Sequence, residues 1–280
     1  MANERYRHLQ IDERFRQRED YTSPPKNVQN PPNPQRERRT HGEYLRQQFE
    51  GAWSAQADIQ AVAHAEREGV YLEFRSDPNA ALVTKSLEDL RSKKVRLLNV
   101  RQEIENEAVV TYATVYVAND KRLKFIEKLS NYLTEDTDGG APKNAKLIES
   151  IGDIRNALLV ESFWTDEPNL IPDANADYVE VWLSSDAEEI EAYFRELCER
   201  HSIPVENGSL PFPERRVLVV QANRTQLELL STHSDHIAEY RKAKETAAFW
   251  LDLDNAHQAQ WVRDLVDRLD ISNESDVAVC

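Results

Sequence analysis

The chain has 280 residues, enough for one large domain or two ordinary ones, and a net charge of −15 at pH 7. An acidic surface repels phosphate backbones, so nucleic acid is excluded as the expected partner. The first residues carry a charge every few positions, and no apolar run approaches the ~20 residues that a bilayer span requires. We therefore expect a cytoplasmic protein with no membrane partner.

The N-terminal part of the chain is predicted to be an extended tail followed by one long helix. Residues 1–39 carry nine Lys and Arg against six Asp and Glu, and residues 22–36 contain five prolines separated by Asn and Gln. Each proline fixes its own φ and biases the preceding residue away from helix, so residues 1–39 are predicted to form a basic, extended tail. From Thr40 apolar residues recur at three- and four-residue steps, which predicts an amphipathic helix over residues 40–68.

Residues 69–165 have the pattern of a first α+β unit, in which short β-rich runs alternate with amphipathic stretches. Two of the β-rich runs are separated by a few polar residues, which predicts a hairpin. The predicted order is strand, helix, strand, strand, helix, helix, strand, at residues 70–74, 80–92, 95–105, 108–118, 120–135, 144–159 and 160–164. This is the split βαβ, or ferredoxin-like, order with one additional helix.

Residues 177–254 show a similar order with a different sequence. The predicted elements are a strand, a helix, an irregular connection, a strand, a helix and a closing strand, at residues 178–185, 186–203, 204–214, 215–223, 225–245 and 247–254. We therefore predict an α+β fold of tandem ferredoxin-like units with antiparallel sheets. Residues 255–280 are predicted to add a last helix and a short apolar strand.

The sequence offers few candidates for a chemical site. Cys198 and Cys280 have neither the spacing of metal ligands nor the number that a disulfide framework requires. His233, Asp235 and His236 are the best metal candidates, but no third ligand at a known spacing accompanies the two histidines, so a polar helix face is the preferred interpretation. We therefore predict no catalytic, cofactor-binding or metal-binding residue. The five tryptophans lie in apolar periodic stretches and are predicted to be core residues: Trp53, Trp164, Trp182, Trp250 and Trp261.

The last four residues, 277–280, form a short apolar run after a polar turn. This run resembles the strand that leads to the Asp-Thr-Gly motif of subtilisin-like serine proteases. Nearly all of the remaining chain resembles the N-terminal region of a group of bacterial cytoplasmic proteases of that family. The matching stretches include "RYRHL", "GVYLEFRSDPN", "VRLLNVR", "FIEKLSNYLTE" and "PKNAKLIESIGDIRNALLVESFWTDEP".

The resemblance implies a protease domain that follows in cis, with the catalytic Asp a few residues after Cys280. The chain contains no Asp-Thr-Gly, His-Gly-Thr or Gly-Thr-Ser motif, so no catalytic residue is carried over and these 280 residues alone are expected to be inert. The full-length parent would be a serine endopeptidase, and this chain would belong to an enzyme only as a part of that parent. We expect the chain to be an N-terminal portion of it.

The resemblance also implies a partner and a role. Such proteases tend to be encoded beside an AAA ATPase, in pairs associated with plasmid maintenance and defence against phage. Their prodomains are ferredoxin-like and cover the protease with the face of a four-stranded sheet. We therefore expect a non-catalytic, prodomain-like regulatory region that inhibits the protease or couples it to the ATPase. One alternative is a scaffold that docks a partner. Another is a free-standing ferredoxin-like module that binds or senses a small ligand, for which the sequence indicates no pocket with convergent polar groups.

Overall fold

The computed structural model describes residues 36–65, 67–89, 91–244 and 254–268. They form two four-stranded antiparallel sheets with helices. The strands of the first sheet are β1 Gly69–Arg75, β2 Val95–Glu105, β3 Ala108–Ala118 and β4 Asp153–Asn156, and those of the second are β5 Asp177–Leu183, β6 Val205–Phe212, β7 Arg215–Ala222 and β8 Ile237–Lys242. The helices are α1 Arg38–Ala63, α2 Arg122–Thr134, α3 Ala145–Ile148, α4 Glu188–Arg200, α5 Arg224–His233 and α6 Asn255–Arg268.

The strand order identifies the fold class. The first sheet has the order β2-β3-β1-β4 and the second has the equivalent order β6-β7-β5-β8. In both sheets the first strand of the unit lies between the third and the fourth, which is the ferredoxin-like arrangement. The prediction of two ferredoxin-like α+β units is therefore confirmed. None of the helices in the described residues is long and apolar enough to span a bilayer.

Local sequence explains the elements that were predicted well. The hairpin between β2 and β3 turns through Asn106 and Glu107, which both have positive φ (48° and 65°), as a two-residue type I′ turn requires. α5 begins with a capping box, in which the Asn223 side chain accepts from the Gln226 N–H and the Gln226 side chain accepts from the Asn223 N–H.

Three predictions for the first unit are wrong. The helix at 80–92 is only a 3₁₀ turn, Thr84–Leu87, because the Asp89 carboxylate accepts from the N–H groups of residues 91 and 92 and holds the chain in a turn. The helix at 144–159 stops after α3, and the chain then forms β4, where Ile154 is fully buried. The closing strand at 160–164 is a 3₁₀ turn at Val160–Ser162.

Two predictions for the second unit are also wrong. The connection at 204–214, predicted to be irregular, contains β6. Gly208 and Pro211 are tolerated in this strand because it has a bulge after Val205 and lies at the edge of the sheet. The helix at 225–245 ends at His233 and is followed by β8. The proline-rich run up to residue 35, the closing strand at 247–253 and the apolar run at 277–280 lie outside the described residues.

Two hydrophobic cores organise the molecule. The inner face of the first sheet packs against α1 and α2 around Leu45, Phe49, Leu72 and Leu129. The outer face of the same sheet contributes Tyr71 and other residues to the core of the second unit, which lies between the second sheet, α4 and α5. The outer face of the first sheet is therefore part of the core of the second unit.

Candidate functional site

The outer face of the second sheet carries apolar side chains, several of which the rest of the described chain leaves exposed. Alternation along β5 directs Val179, Val181 and Leu183 into the core, so that Tyr178 and Trp182 point outward. Trp182 is paired with Val217 of β7, and Val217 is paired with Leu210 of β6, so the three side chains lie in one row across three strands. We call the surface formed by Tyr178, Trp182, Leu210, Phe212 and Val217 the aromatic face.

Trp182 is held rigidly at the centre of the aromatic face. Its ring stacks on Phe212, with centroids 5.5 Å apart and an angle of 15° between the planes. The Arg241 guanidinium lies over the Trp182 ring, 4.3 Å from its centroid, and the indole N–H donates to Glu180 at 3.2 Å. These contacts fix the indole before any partner arrives, so little conformational entropy would be lost when a partner binds.

Exposure distinguishes this surface from its counterpart in the first unit. Leu210 is 62 % exposed, Phe212 44 % and Tyr178 46 %, while Val217 beneath them is 6 % exposed. On the corresponding face of the first sheet, Tyr71 and Tyr116 are buried against the second unit. Leu210 and Phe212, on the same side of β6 beside Trp182, form an exposed apolar patch, and such patches mark interaction sites more often than isolated surface apolar residues do.

The three residues considered for a metal site do not converge on one point. Asp235 accepts from the Arg67 guanidinium at 2.7 Å and from the Glu68 N–H at 2.7 Å. His233 packs on His201 with ring centroids 5.0 Å apart, and burial lowers the pKa of His233. Within the described residues no three His, Cys, Asp or Glu side chains form a group that could hold a metal ion.

His236 and Asp235 instead line a cleft of about 850 Å³ between the two units. The Arg67 and Arg96 guanidinium groups lie over the rings of Tyr71 and Tyr116, each 4.2 Å from the ring centroid. Burial, and then the nearby Arg96, lowers the pKa of His236 to about 4, so the imidazole is neutral at pH 7. The contacts in this cleft join the two units, since Arg96 also donates to the carbonyl of Asp235.

The predictions for the tryptophans have mixed outcomes. Trp53 and Trp164 are buried as predicted, and Cys198 lies in the core of the second unit, where burial raises the pKa of its thiol to about 12. Trp182 is half-buried on the outer face, so its prediction as a core residue is wrong. The alternation of Tyr178, Glu180 and Trp182 with Val179, Val181 and Leu183 was the signal that could have placed it there. Trp250 and the side chain of Trp261 lie outside the described part of the chain.

Comparison with known proteins adds little to these observations. No family model matches the chain. No curated protein sequence matches it either. A solved structure provisionally assigned to a glycine cleavage system transcriptional repressor is similar over 57 % of this chain and 86 % of its own, with a TM-score of 0.20 and 9 % identity. That likeness is too weak to support an argument about function.

Proposed function

We propose that this chain is a non-catalytic docking region that regulates a subtilisin-like serine protease domain in cis. It would inhibit the protease or couple it to a partner AAA ATPase. The observation that carries the proposal is the aromatic face, an exposed apolar surface on a ferredoxin-like sheet. The partner is suggested by the sequence resemblance, since the prodomains of these proteases cover the enzyme with such a face. The proposed location is the cytoplasm, and the proposed setting is antiphage defence or plasmid maintenance.

The aromatic face has the composition of a binding centre. Trp, Tyr and Arg are the residues most often found at energetic centres of protein interfaces. Here Arg241 lies over Trp182, and Tyr178 lies on the same face of the sheet four residues away along β5. About half of the Leu210 and Phe212 side chains is already covered, so complete burial of each would contribute about 1 kcal/mol. A rigid Trp182 flanked by such residues would therefore supply the centre of a stable contact.

The adjacent edge strand is less suited to binding a peptide by strand addition. The edge strand is β6, which carries Leu210 and Phe212 of the aromatic face, and Pro211 within it has no N–H to donate to an added strand. The proposal therefore places the contact on the face of the sheet and not on this edge.

The test adds the purified 280-residue chain to the isolated protease domain in trans, with and without the ATPase. Binding and peptide hydrolysis are measured for the wild-type chain and for Leu210→Ser. Ile104→Ser is the matched control, because Ile104 is an 80 % exposed aliphatic residue on β2, the corresponding edge strand of the first unit. We expect Leu210→Ser to weaken binding by about tenfold and Ile104→Ser to leave it unchanged.

The outcomes separate the alternatives. Loss of hydrolysis on adding the chain supports an inhibitor, and a gain that requires the ATPase supports a coupler. Equal binding by the two variants would contradict the placement of the contact on the aromatic face. If the wild-type chain binds neither protein, the proposal fails and the free-standing ligand-binding module becomes the better interpretation.

A further inference from the structure

The connection between β1 and β2 differs from its counterpart in the second unit. Between β5 and β6 the chain forms the 13-residue helix α4, which packs on the inner face of its sheet through Phe194 and Leu197. Between β1 and β2 the only helical segment described is the 3₁₀ turn Thr84–Leu87. Pro78 and Asn79, the latter with a φ of 56°, begin this connection as a turn and not as a helix.

α1 covers only part of the region that a helix in this connection would occupy, and it contributes Phe49 there. α1 packs against β4, α2 and β1, at one side of the first sheet. The other side of the inner face, towards β2 and β3, is bordered by α2 and by the connection itself. A cavity of about 470 Å³ lies there, within the range of small-ligand pockets.

The floor of this cavity is apolar and aromatic. Val115 and Val117 of β3 line it together with Phe74 of β1. Phe125 of α2 stacks on Phe49 of α1 with ring centroids 4.8 Å apart, and it meets Phe74 edge-on at 5.5 Å. Because these rings hold one another in place, the floor would not collapse when the cavity is empty.

The rim of the cavity is cationic, although the whole chain carries a net charge of −15. Five basic side chains and two acidic ones, Glu88 and Asp89, line the cavity, an excess of three positive charges. The basic side chains are Lys85, Arg91, Lys121, Lys124 and Lys128. Of these, Lys124 forms a loose ion pair with Asp89 at 3.8 Å, and Lys128 donates to the carbonyl of Ser86 at 3.1 Å.

Lys128 and Lys124 lie one helical turn apart on α2 and repel each other. Burial, followed by repulsion from Lys124, lowers the pKa of Lys128. A negatively charged group between these two lysines would reverse the repulsion and compensate the partly buried ammonium of Lys128.

We propose that the cavity binds a small amphipathic anion, namely a carboxylic acid with a medium-length apolar tail. The tail lies against the half-buried Phe125 and Val95, which the buried rings of Phe49 and Phe74 support from behind, and the carboxylate is held by Lys124 and Lys128 at the rim. The cationic rim selects the anion, and the apolar floor selects against small hydrophilic anions. This site is separate from the aromatic face, which lies on the second sheet.

The proposal is tested by titrating the 280-residue chain with decanoate and with decanol, a neutral molecule with the same tail, in a calorimeter. We expect saturable one-to-one binding of decanoate and at least about tenfold weaker binding of decanol, because the alcohol forms no ion pair. Added salt should weaken the binding of decanoate and leave that of decanol nearly unchanged.

Variants locate the site. Lys124 is exposed, so its replacement by Gln should leave folding intact. The double variant Lys124→Gln, Lys128→Gln should bind decanoate about tenfold more weakly or worse. Lys143→Gln is the matched control, since Lys143 pairs with Glu135 away from the cavity. Phe212→Ser, on the aromatic face, should also bind decanoate normally, which distinguishes this site from the proposed docking surface.

Three results would each overturn the proposal. The first is the absence of saturable decanoate binding at about 1 mM, the weak end of specific affinities. The second is equal affinity for decanol and decanoate. The third is decanoate binding that the double lysine variant retains or that Phe212→Ser removes.

Discussion

Tyr71 connects the two units through a hydroxyl group that is completely buried. The hydroxyl donates to the carbonyl of Ser234 at 2.7 Å and accepts from the N–H of Ile237 at 2.9 Å. Tyr71→Phe removes this oxygen and keeps the ring, including its contact with the Arg67 guanidinium 4.2 Å from the ring centroid. The substitution therefore tests two hydrogen bonds while leaving the packing of the ring intact.

The expected cost follows from the groups left behind. After the substitution, the Ser234 carbonyl and the Ile237 N–H remain inside the protein without this partner. A buried polar group that loses its partner costs about 1–3 kcal/mol, so we expect Tyr71→Phe to lower the free energy of unfolding by about 2–4 kcal/mol. A loss of that size would be a large fraction of the stability of an ordinary domain, about 5–15 kcal/mol.

Urea denaturation followed by tryptophan fluorescence measures the change. Tyr44→Phe is the matched control, because the 40 % exposed Tyr44 donates to Asp153 at the surface and its loss should cost no more than about 0.5 kcal/mol. A Tyr71→Phe protein within about 0.5 kcal/mol of the wild type would refute the assignment of this hydroxyl as a buried link between the units.

Three further predictions concern buried ionisable groups. Glu73→Ala should lower the free energy of unfolding by about 1–3 kcal/mol in urea denaturation, because the fully buried carboxylate pairs with Arg101 at 2.6 Å and with Arg155, and the nearly buried Arg101 would keep only Glu103 as a carboxylate partner. The pKa of His236 in the folded protein, about 4, lies below its unfolded value of ~6.5. The neutral imidazole therefore contributes its full stability above pH ~6.5. As the pH falls towards 4, the free energy of unfolding should decrease by up to about 3 kcal/mol. Burial raises the pKa of the Cys198 thiol to about 12. In a Cys280→Ala background, this thiol should therefore react with iodoacetamide at pH 8 at least about a hundredfold more slowly in the folded protein than in urea.

Each of these predictions has its own control. Replacing both Glu73 and Arg101 with Met should recover most of the stability that Glu73→Ala loses, and a double variant as unstable as the single one would contradict the pairing argument. His236→Gln should reduce the pH dependence between 6.5 and 4, and an unchanged pH profile would exclude His236 as its source. Rapid labelling of Cys198 in the folded protein would show that the core of the second unit opens readily.

The sequence predicted the fold class because strand patterns were clear where one face of a strand is buried. The bounds of β2 and β3 were predicted correctly, since β-branched and aromatic residues follow each other up to a turn at Asn106 and Glu107. β4 and β8 were mistaken for the continuation of helices. Each is short, four and six residues, and lies directly after a helical segment, so a helical period of apolar residues continued across the boundary.

The candidate sites were harder to predict because they depend on what lies beside each element. The aromatic face is visible in the alternation along β5, but the sequence does not show that the equivalent face of the first sheet is covered while this one is exposed. The cavity of the first unit arises because the connection between β1 and β2 forms no long helix in its described residues. The basic side chains of the cavity come from that connection and from residues 121–128, which are distant from it in the sequence. Only the packed chain shows which surfaces remain open.

The segment that leaves the first unit also completes the second one. Tyr240 of β8 donates its N–H to the carbonyl of Phe163 and accepts from the N–H of Thr165, so that residues 163–165 lie parallel to β8 along its outer edge. During synthesis this segment leaves the ribosome before β8 does, and it can cover the edge of β8 as soon as that strand forms. An unpaired edge strand is a site of aggregation, so the order of the chain would protect the second sheet while it folds. A fragment that begins at residue 177 would lack this protection and should aggregate on refolding.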